Sequence, residues 1–130
     1  MKKVIIALLL GIILIAGCEK EDYILQEVVG KWQLVGGYDV MMGGLYIPPT
    51  EEQRIVEYTK NNEFVNYDYL QKEIGRCNFR LTESTITIYG VEINGQKWES
   101  SYKYWIRNDT LQIHNDGGFE SYEEFFKRIE

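Results

Sequence analysis

Apolar and polar residues alternate in short runs through most of the chain, and this period of two is typical of β-strands. The clearest case is residues 76–82, where Cys77, Phe79 and Leu81 share one face and polar side chains occupy the other. Eight runs of this kind, each bounded by turn residues, predict strands over 31–40, 53–59, 63–70, 76–82, 84–93, 96–107, 110–114 and 121–129.

The residues between these runs predict how the strands are connected. Most connections are short, and Asn94-Gly95 is a strong signal for a two-residue hairpin turn. Residues 41–51 form the one long predicted loop, and residues 22–29 predict about two helical turns that end at Gly30. Within 84–93 the apolar residues change face, so we predict a bulge at Gly90.

Eight strands joined mainly by short turns form an antiparallel meander, whose open edges must be covered or paired with each other. We therefore predict an all-β fold: an eight-stranded antiparallel up-and-down barrel with a short N-terminal helix. A barrel of this size is just wide enough to be filled by side chains or to hold one small ligand. The sequence leaves both of these interiors open.

The first residues have the composition of a secretory signal peptide. Lys2 and Lys3 precede an apolar run over 4–16, which is shorter than the roughly 18–20 residues of a membrane-spanning helix. The following Ile15-Ala16-Gly17-Cys18 resembles the lipobox of bacterial lipoproteins. The resemblance implies removal of residues 1–17 and attachment of two or three acyl chains, such as palmitate, at Cys18. The alternative is an ordinary signal peptide or anchor helix with an incidental cysteine.

The residues after Cys18 concern the location of the protein. Residues 19–22 are Glu-Lys-Glu-Asp, which resembles a surface-export signal of some Gram-negative lipoproteins. The alternative is a short solvated tether over 18–22, as charged clusters often are. We expect a lipid-anchored protein of the outer membrane, on the cell surface or on the periplasmic face.

Composition narrows the possible partners. Removal of Lys2 and Lys3 leaves 12 basic against 20 acidic residues, a formal charge of −8. An acidic domain of this kind is a poor partner for phosphate backbones, so we expect no nucleic-acid binding. The remaining length suits one domain over 23–130, in which Cys77 has no cysteine left to pair with.

The residues Gly30-Lys31-Trp32, placed after a short helix and before the strand pattern, resemble the Gly-x-Trp signature of lipocalins. The resemblance implies that the helix closes one end of the barrel and that Trp32 packs across it. It also implies that Arg128, on the last strand, stacks on Trp32 and that residues 41–51 form a lid. Together with the lipobox, the chain resembles lipocalin-like (calycin-type) lipoproteins of Gram-negative bacteria over residues 23–130.

Residues that often carry chemistry lack companions in this sequence. His114 is the only histidine and is expected to point outward, and Cys77 shares a face with apolar residues. Residues 115–118 resemble a glycine-rich turn more than a calcium loop, because regularly spaced oxygens and a closing Glu are missing. The paired acids at 51–52 and 123–124 point to opposite faces if they lie on strands. We therefore expect no catalytic site, metal or cofactor, and no enzyme activity.

Two functions remain. The first is binding of a small apolar or amphiphilic ligand in the barrel, with candidate contacts at Trp98, Tyr102, Tyr104 and Tyr46. The second is a filled barrel that binds an envelope protein or glycan through exposed residues. The candidates for this second function are Met41, Met42, Leu45, Tyr46, Tyr89 and Trp105.

Overall fold

The structure, a computed structural model, describes residues 25–41, 43–116 and 121–130. The predicted signal peptide 1–17, the lipidation site Cys18 and the tether 18–22 lie outside these residues. The described residues form nine strands. They are β1 (Gly30–Asp39), β2 (Gly44–Tyr46), β3 (Ile55–Tyr58), β4 (Glu63–Tyr67), β5 (Glu73–Leu81), β6 (Thr85–Val91), β7 (Lys97–Arg107), β8 (Thr110–Asn115) and β9 (Tyr122–Arg128).

The strands form a closed antiparallel barrel. From β3 to β9 each strand pairs with the next one in chain order, and β1 pairs with both β3 and β9. Eight strands make the wall, because β2 is a three-residue addition that pairs only with residues 37–39 of β1. Residues 25–28 are helical. The predicted all-β fold with an eight-stranded up-and-down barrel is confirmed.

The eight wall strands lie where the alternation predicts them, but two details of the prediction are wrong. The predicted long loop 41–51 contains β2 and a short 3-10 turn at Thr50–Glu52. The predicted bulge at Gly90 is absent from the described strands, because β6 pairs with β7 in one continuous register. Ile86 and Ile88 face the interior, whereas Val91 lies on the outer face of the same regular strand, with 64% of its surface accessible.

Gly90 has a packing reason instead. It lies opposite Trp98 on the neighbouring strand, and a Cβ atom at Gly90 would lie 3.0 Å from the indole ring. A side chain at this position would displace the ring, whereas glycine leaves room for Trp98 to lie flat across β6. The register shifts that do occur lie in β1, between Leu34 and Gly36, and at the β4–β5 pairing next to Tyr67.

One end of the barrel is closed by a compact cluster around Trp32, whose side chain is fully buried. Its indole Nε1 donates a 2.9 Å hydrogen bond to the Val28 carbonyl at the end of the helical segment. The guanidinium carbon of Arg128 lies 4.1 Å from the centre of the Trp32 ring, and Nη1 of Arg128 donates to the Val29 carbonyl. These contacts fasten the helical segment to the last strand, and we call this part of the barrel the closed end.

Candidate ligand-binding cavity

The opposite half of the barrel encloses a cavity of about 190 Å³. Its walls come from inward-facing residues of six strands, together with Arg54 just before β3. The lining residues are Arg54, Val56, Tyr58, Phe64, Asn66, Ile86, Ile88, Tyr102, Ile113, Tyr122, Glu124 and Phe126. The interior is therefore filled at the closed end and open at the other, which we call the open end.

Aromatic rings form the boundary between the two halves. The ring of Tyr58 packs against Phe64 and Phe79, with both pairs of ring centres 5.1 Å apart. Large side chains of this kind fill an eight-stranded barrel across its width. They give the cavity an apolar floor, so a guest enters from the open end.

An ion pair lines the cavity, in which Glu124 is buried and Arg54 is partly accessible to solvent. Arg54 Nη2 donates to Glu124 Oε1 over 2.8 Å, and only 7% of the surface of Glu124 is accessible. The same guanidinium lies over the ring of Phe126, 5.6 Å from its centre. A carboxylate this deep in a protein needs a partner of opposite charge, and Arg54 supplies it from the other side of β1.

Strand alternation explains why Glu124 points inward. Along β9, Glu124 and Phe126 are buried. Glu123, one position before Glu124, faces out, and its Oε1 lies 3.2 Å from Nδ1 of His114. The prediction that adjacent acids at 123–124 point to opposite faces is confirmed. At 51–52 the acids lie on the 3-10 turn and are both exposed.

Three tyrosines bring hydroxyl groups to the cavity: Tyr58, Tyr102 and Tyr122. Burial raises the pKa of Tyr58 and of Tyr122 above the usual value for tyrosine, and a hydrogen bond with Asn115 partly opposes this shift at Tyr122. The hydroxyls of Tyr58 and Tyr122 therefore stay protonated at neutral pH and are able to donate hydrogen bonds. Together with Arg54, Glu124 and Asn66, the tyrosines give a largely apolar pocket a few polar groups, which is the usual composition of a small-molecule site.

The four residues predicted to contact a ligand have separate locations. Tyr102 lines the cavity. Tyr46, on β2, packs its ring against Gly37, and its pKa is raised by burial first and by nearby Glu124 second, which places it at the mouth. Tyr104 lies in the core at the closed end, where its hydroxyl donates to the Thr82 carbonyl over 3.0 Å. Trp98 lies outside the cavity.

Sequence reasoning missed the two charged residues of the cavity, Arg54 and Glu124. The signal for Glu124 was available, because residues 122, 124 and 126 share one face of the last predicted strand. Adjacent Phe125 and Phe126 obscured that alternation. No comparable signal marks Arg54, which precedes the first residue of β3 and reaches the cavity from a connection.

Trp98 belongs to a second depression, on the wall between β5 and β6. Pairing between these strands ends at Asn78 and Tyr89, so the first half of β5 diverges from the end of β6. The resulting groove has a volume of about 700 Å³ and is open to solvent. We call it the wall groove, and its lining includes Arg76, Cys77, Arg80, Tyr89, Lys97 and Trp98.

The turns around the open end carry exposed apolar side chains. They come from three segments: residues 40–47 after β1, the β4–β5 turn with the start of β5, and the end of β6 with the β6–β7 turn. We call this set the apolar rim, and it comprises Val40, Met41, Leu45, Ile47, Tyr69, Leu70, Ile74, Val91 and Ile93. The mouth of the cavity is thus bordered by surface that favours contact with apolar groups.

Cys77 and His114 both pack against other side chains. Cys77 packs against the core beside Phe79, and burial raises the pKa of its thiol, which disfavours the reactive thiolate. His114 is partly buried rather than fully outward, with its ring edge toward Trp105. The described residues include no cluster of three or more His, Cys, Asp or Glu side chains that would hold a metal ion. The glycines of the 115–118 turn lie outside the described part.

Comparison with known proteins adds no family assignment. No protein-family model matches the sequence, and no curated protein resembles it closely enough to count as a relative. The closed eight-stranded antiparallel barrel is compatible with a lipocalin-like fold. Within the described ranges, no helix combines the length and the apolar character needed to cross a membrane.

Proposed function

We propose that this protein is a lipid-anchored lipoprotein of the cell envelope whose lipocalin-like barrel binds a small apolar or amphiphilic ligand without catalysis. The observation that carries the proposal is the cavity of about 190 Å³ at the open end. An apolar cavity of about 150 Å³ in another protein is large enough for benzene, so a guest of about one ring fits here.

The distribution of polar groups supports an amphiphilic guest. The floor is aromatic and aliphatic, whereas Arg54, Glu124 and Tyr122 lie toward the mouth. A molecule with an apolar body and a polar end therefore finds complementary surroundings in one orientation. The apolar rim provides a surface on which such a molecule is held before it enters.

The proposed anchor fixes which way the barrel faces. Leu25, the first described residue, lies seven positions after Cys18, so the two are at most about 25 Å apart at about 3.5 Å per residue. Leu25 lies beside the closed end, so a lipid on Cys18 holds that end close to the membrane. The cavity then opens away from it, toward the medium or the periplasm.

The lipid anchor is tested by replacing Cys18 with Ala in the producing bacterium and fractionating the cells. We expect the variant to leave the outer-membrane fraction, because acylation supplies the stable membrane attachment. Protease treatment of intact cells then separates a surface location from a periplasmic one. Unchanged membrane association of the variant contradicts the proposed lipoprotein.

Ligand binding is tested by native mass spectrometry of the full chain extracted from its own membranes. We expect a small bound mass on the natural protein and its loss in Ile88→Trp, because this change fills the cavity from its wall. Lys103→Trp is the matched control, since it adds the same ring on the neighbouring strand β7 at an exposed position that lines neither the cavity nor the wall groove. Absence of a bound mass and of any small-molecule binding contradicts the proposal.

A second candidate is a non-catalytic interaction module that binds an envelope protein or a glycan. The observation that favours it is the wall groove, where Trp98 and Tyr89 lie beside polar and basic side chains. The exposed residues Met41, Leu45 and Trp105 extend the available surface, while Met42 lies outside the described residues. Loss of binding to envelope material in Trp98→Ala, but not in Ile88→Trp, favours this candidate.

A further inference from the structure

Tyr58 carries a polar group that the described protein leaves unpaired. Only 4% of its surface is accessible, and its ring is held between Phe64 and Phe79. Among the described residues its hydroxyl forms no hydrogen bond, whereas the hydroxyl of Tyr104 donates to Thr82. A hydroxyl that lines a cavity without a protein partner is available to a molecule in the cavity, either water or a guest.

The hydroxyl of Tyr58 faces the cavity. Tyr58 is one of the lining residues, and its hydroxyl interacts electrostatically with Arg54, Glu124 and Tyr102, all of which line the same space. Among the described residues, Nδ1 of His114 is the only fully enclosed side-chain polar atom that lacks a hydrogen-bond partner, and the Tyr58 oxygen is not one of this kind. The Tyr58 oxygen is therefore accessible from inside the cavity, where a guest can reach it.

The charges in the cavity argue against a charged guest. Arg54 and Glu124 already neutralise each other across 2.8 Å. A carboxylate would compete with Glu124 for the guanidinium, and an ammonium group would compete with Arg54 for the carboxylate. The first exchange leaves Glu124 buried without its partner. In the second, the ammonium group lies beside the guanidinium, which carries the same charge.

We propose that the natural ligand is an uncharged molecule of about one ring, with an oxygen that accepts a hydrogen bond from the Tyr58 hydroxyl. Alcohols, phenols, ketones and lactones of that size meet this description. Tyr102 lines the same cavity and supplies a second hydroxyl for an oxygen-bearing guest. The inference rests on the proposed ligand-binding function and adds the chemical class of the ligand.

Four probes of nearly the same shape test the class: toluene, benzyl alcohol, benzoate and benzylammonium. Each is titrated by calorimetry into the full chain, held at one fixed concentration of mild detergent. We expect benzyl alcohol to bind about 3- to 10-fold more tightly than toluene, the gain of one hydrogen bond. We expect both ions to bind more weakly than benzyl alcohol.

Two conservative variants separate the Tyr58 hydroxyl from general packing. Tyr58→Phe should weaken binding of benzyl alcohol to the level of toluene and leave the melting temperature of the unliganded protein about the same, because the described residues form no hydrogen bond with this hydroxyl. Tyr104→Phe is the matched control: it should lower the melting temperature, since the bond to Thr82 is lost, and leave probe binding unchanged.

The outcomes distinguish this inference from the function on which it rests. If toluene or benzoate binds as tightly as benzyl alcohol, or if Tyr58→Phe leaves benzyl alcohol binding unchanged, the inference is wrong while ligand binding stands. If none of the probes binds and native mass spectrometry finds no guest, the proposed function fails and the inference fails with it.

Discussion

The two ends of the barrel are built from the same strands but have opposite character. At the closed end, Trp32 is fully buried, Arg128 stacks on it, and the turns carry polar residues such as Asn62 and Asn108. At the open end, the turns carry the apolar rim, and the strands enclose a cavity with a charged pair. Packing is complete at one end and incomplete at the other.

This difference indicates a division of roles along the barrel axis. Close packing and satisfied hydrogen bonds supply stability, whereas a cavity and exposed apolar side chains reduce it and are typical of binding surfaces. Substitutions at the closed end should therefore change the free energy of unfolding. Substitutions at the open end should mainly change binding. Paired variants, one from each end, test this.

The largest expected contrast is between two tryptophans. Trp32→Ala should lower the free energy of unfolding by about 4 kcal/mol, because it empties the closed end and removes the bond to Val28. Trp98→Ala should lower it by about 1 kcal/mol or less, because 36% of that side chain is already accessible. Urea unfolding followed by circular dichroism measures both. Similar losses for the two variants would contradict the division of roles.

Two glycines provide the next comparison. Gly30 has a φ of +139°, and a Cβ atom there would lie 2.5 Å from the Glu130 carbonyl oxygen, so Gly30→Ala should lower stability by about 3 kcal/mol. Gly95 has a φ of +83° with open space around it, so Gly95→Ala should cost only about 1 kcal/mol. Thermal melts of the two variants measure the difference, and equal shifts would show that the backbone conformation alone decides the cost.

A smaller effect is expected for the ion pair in the cavity. Arg54→Met leaves Glu124 buried without a partner and should lower stability by about 1–2 kcal/mol, less than for a fully buried pair because Arg54 is partly accessible. The double variant Arg54→Met/Glu124→Leu should recover most of this loss. Arg80→Met is the control, since the Arg80–Glu99 pair is exposed and contributes little. Chemical denaturation of Arg54→Met, Glu124→Leu and the double variant gives the coupling energy, and a coupling near zero contradicts a structural pair.

The smallest expected effect concerns alkaline pH. Burial raises the pKa of Tyr58 in the folded protein above the usual value of about 10, so this tyrosine supports the fold fully below pH ~10. Its contribution is lost as the pH rises further, because the unfolded chain then releases a proton that the folded chain retains. Between pH 9 and 11 the natural protein should lose about 1 kcal/mol more stability than Tyr58→Phe. Urea unfolding at the two pH values measures this, and identical losses would place the Tyr58 hydroxyl in a water-like environment.

Much of the wall was predictable from sequence, because strand alternation is a local property. The period of two located all eight wall strands. The resemblance of Gly30-Lys31-Trp32 to the Gly-x-Trp signature indicated the closed end. The residues of the cavity depend on contacts between distant segments. Arg54 and Glu124 are 70 positions apart, so only the closed barrel shows that they meet. The Gly90 prediction failed for the same reason, since the space there is occupied by Trp98 from the next strand.

The pairing of β1 with β9 also determines when this fold is able to form. Arg128 donates to a carbonyl 99 positions earlier in the chain, and β1 pairs with β9 along most of its length. Contacts between such distant segments form slowly, because a long loop must be closed before any of them contributes. During synthesis the barrel remains an open sheet until β9 is available. A chain that stops before β9 therefore leaves β1 and β8 as unpaired edges of that sheet.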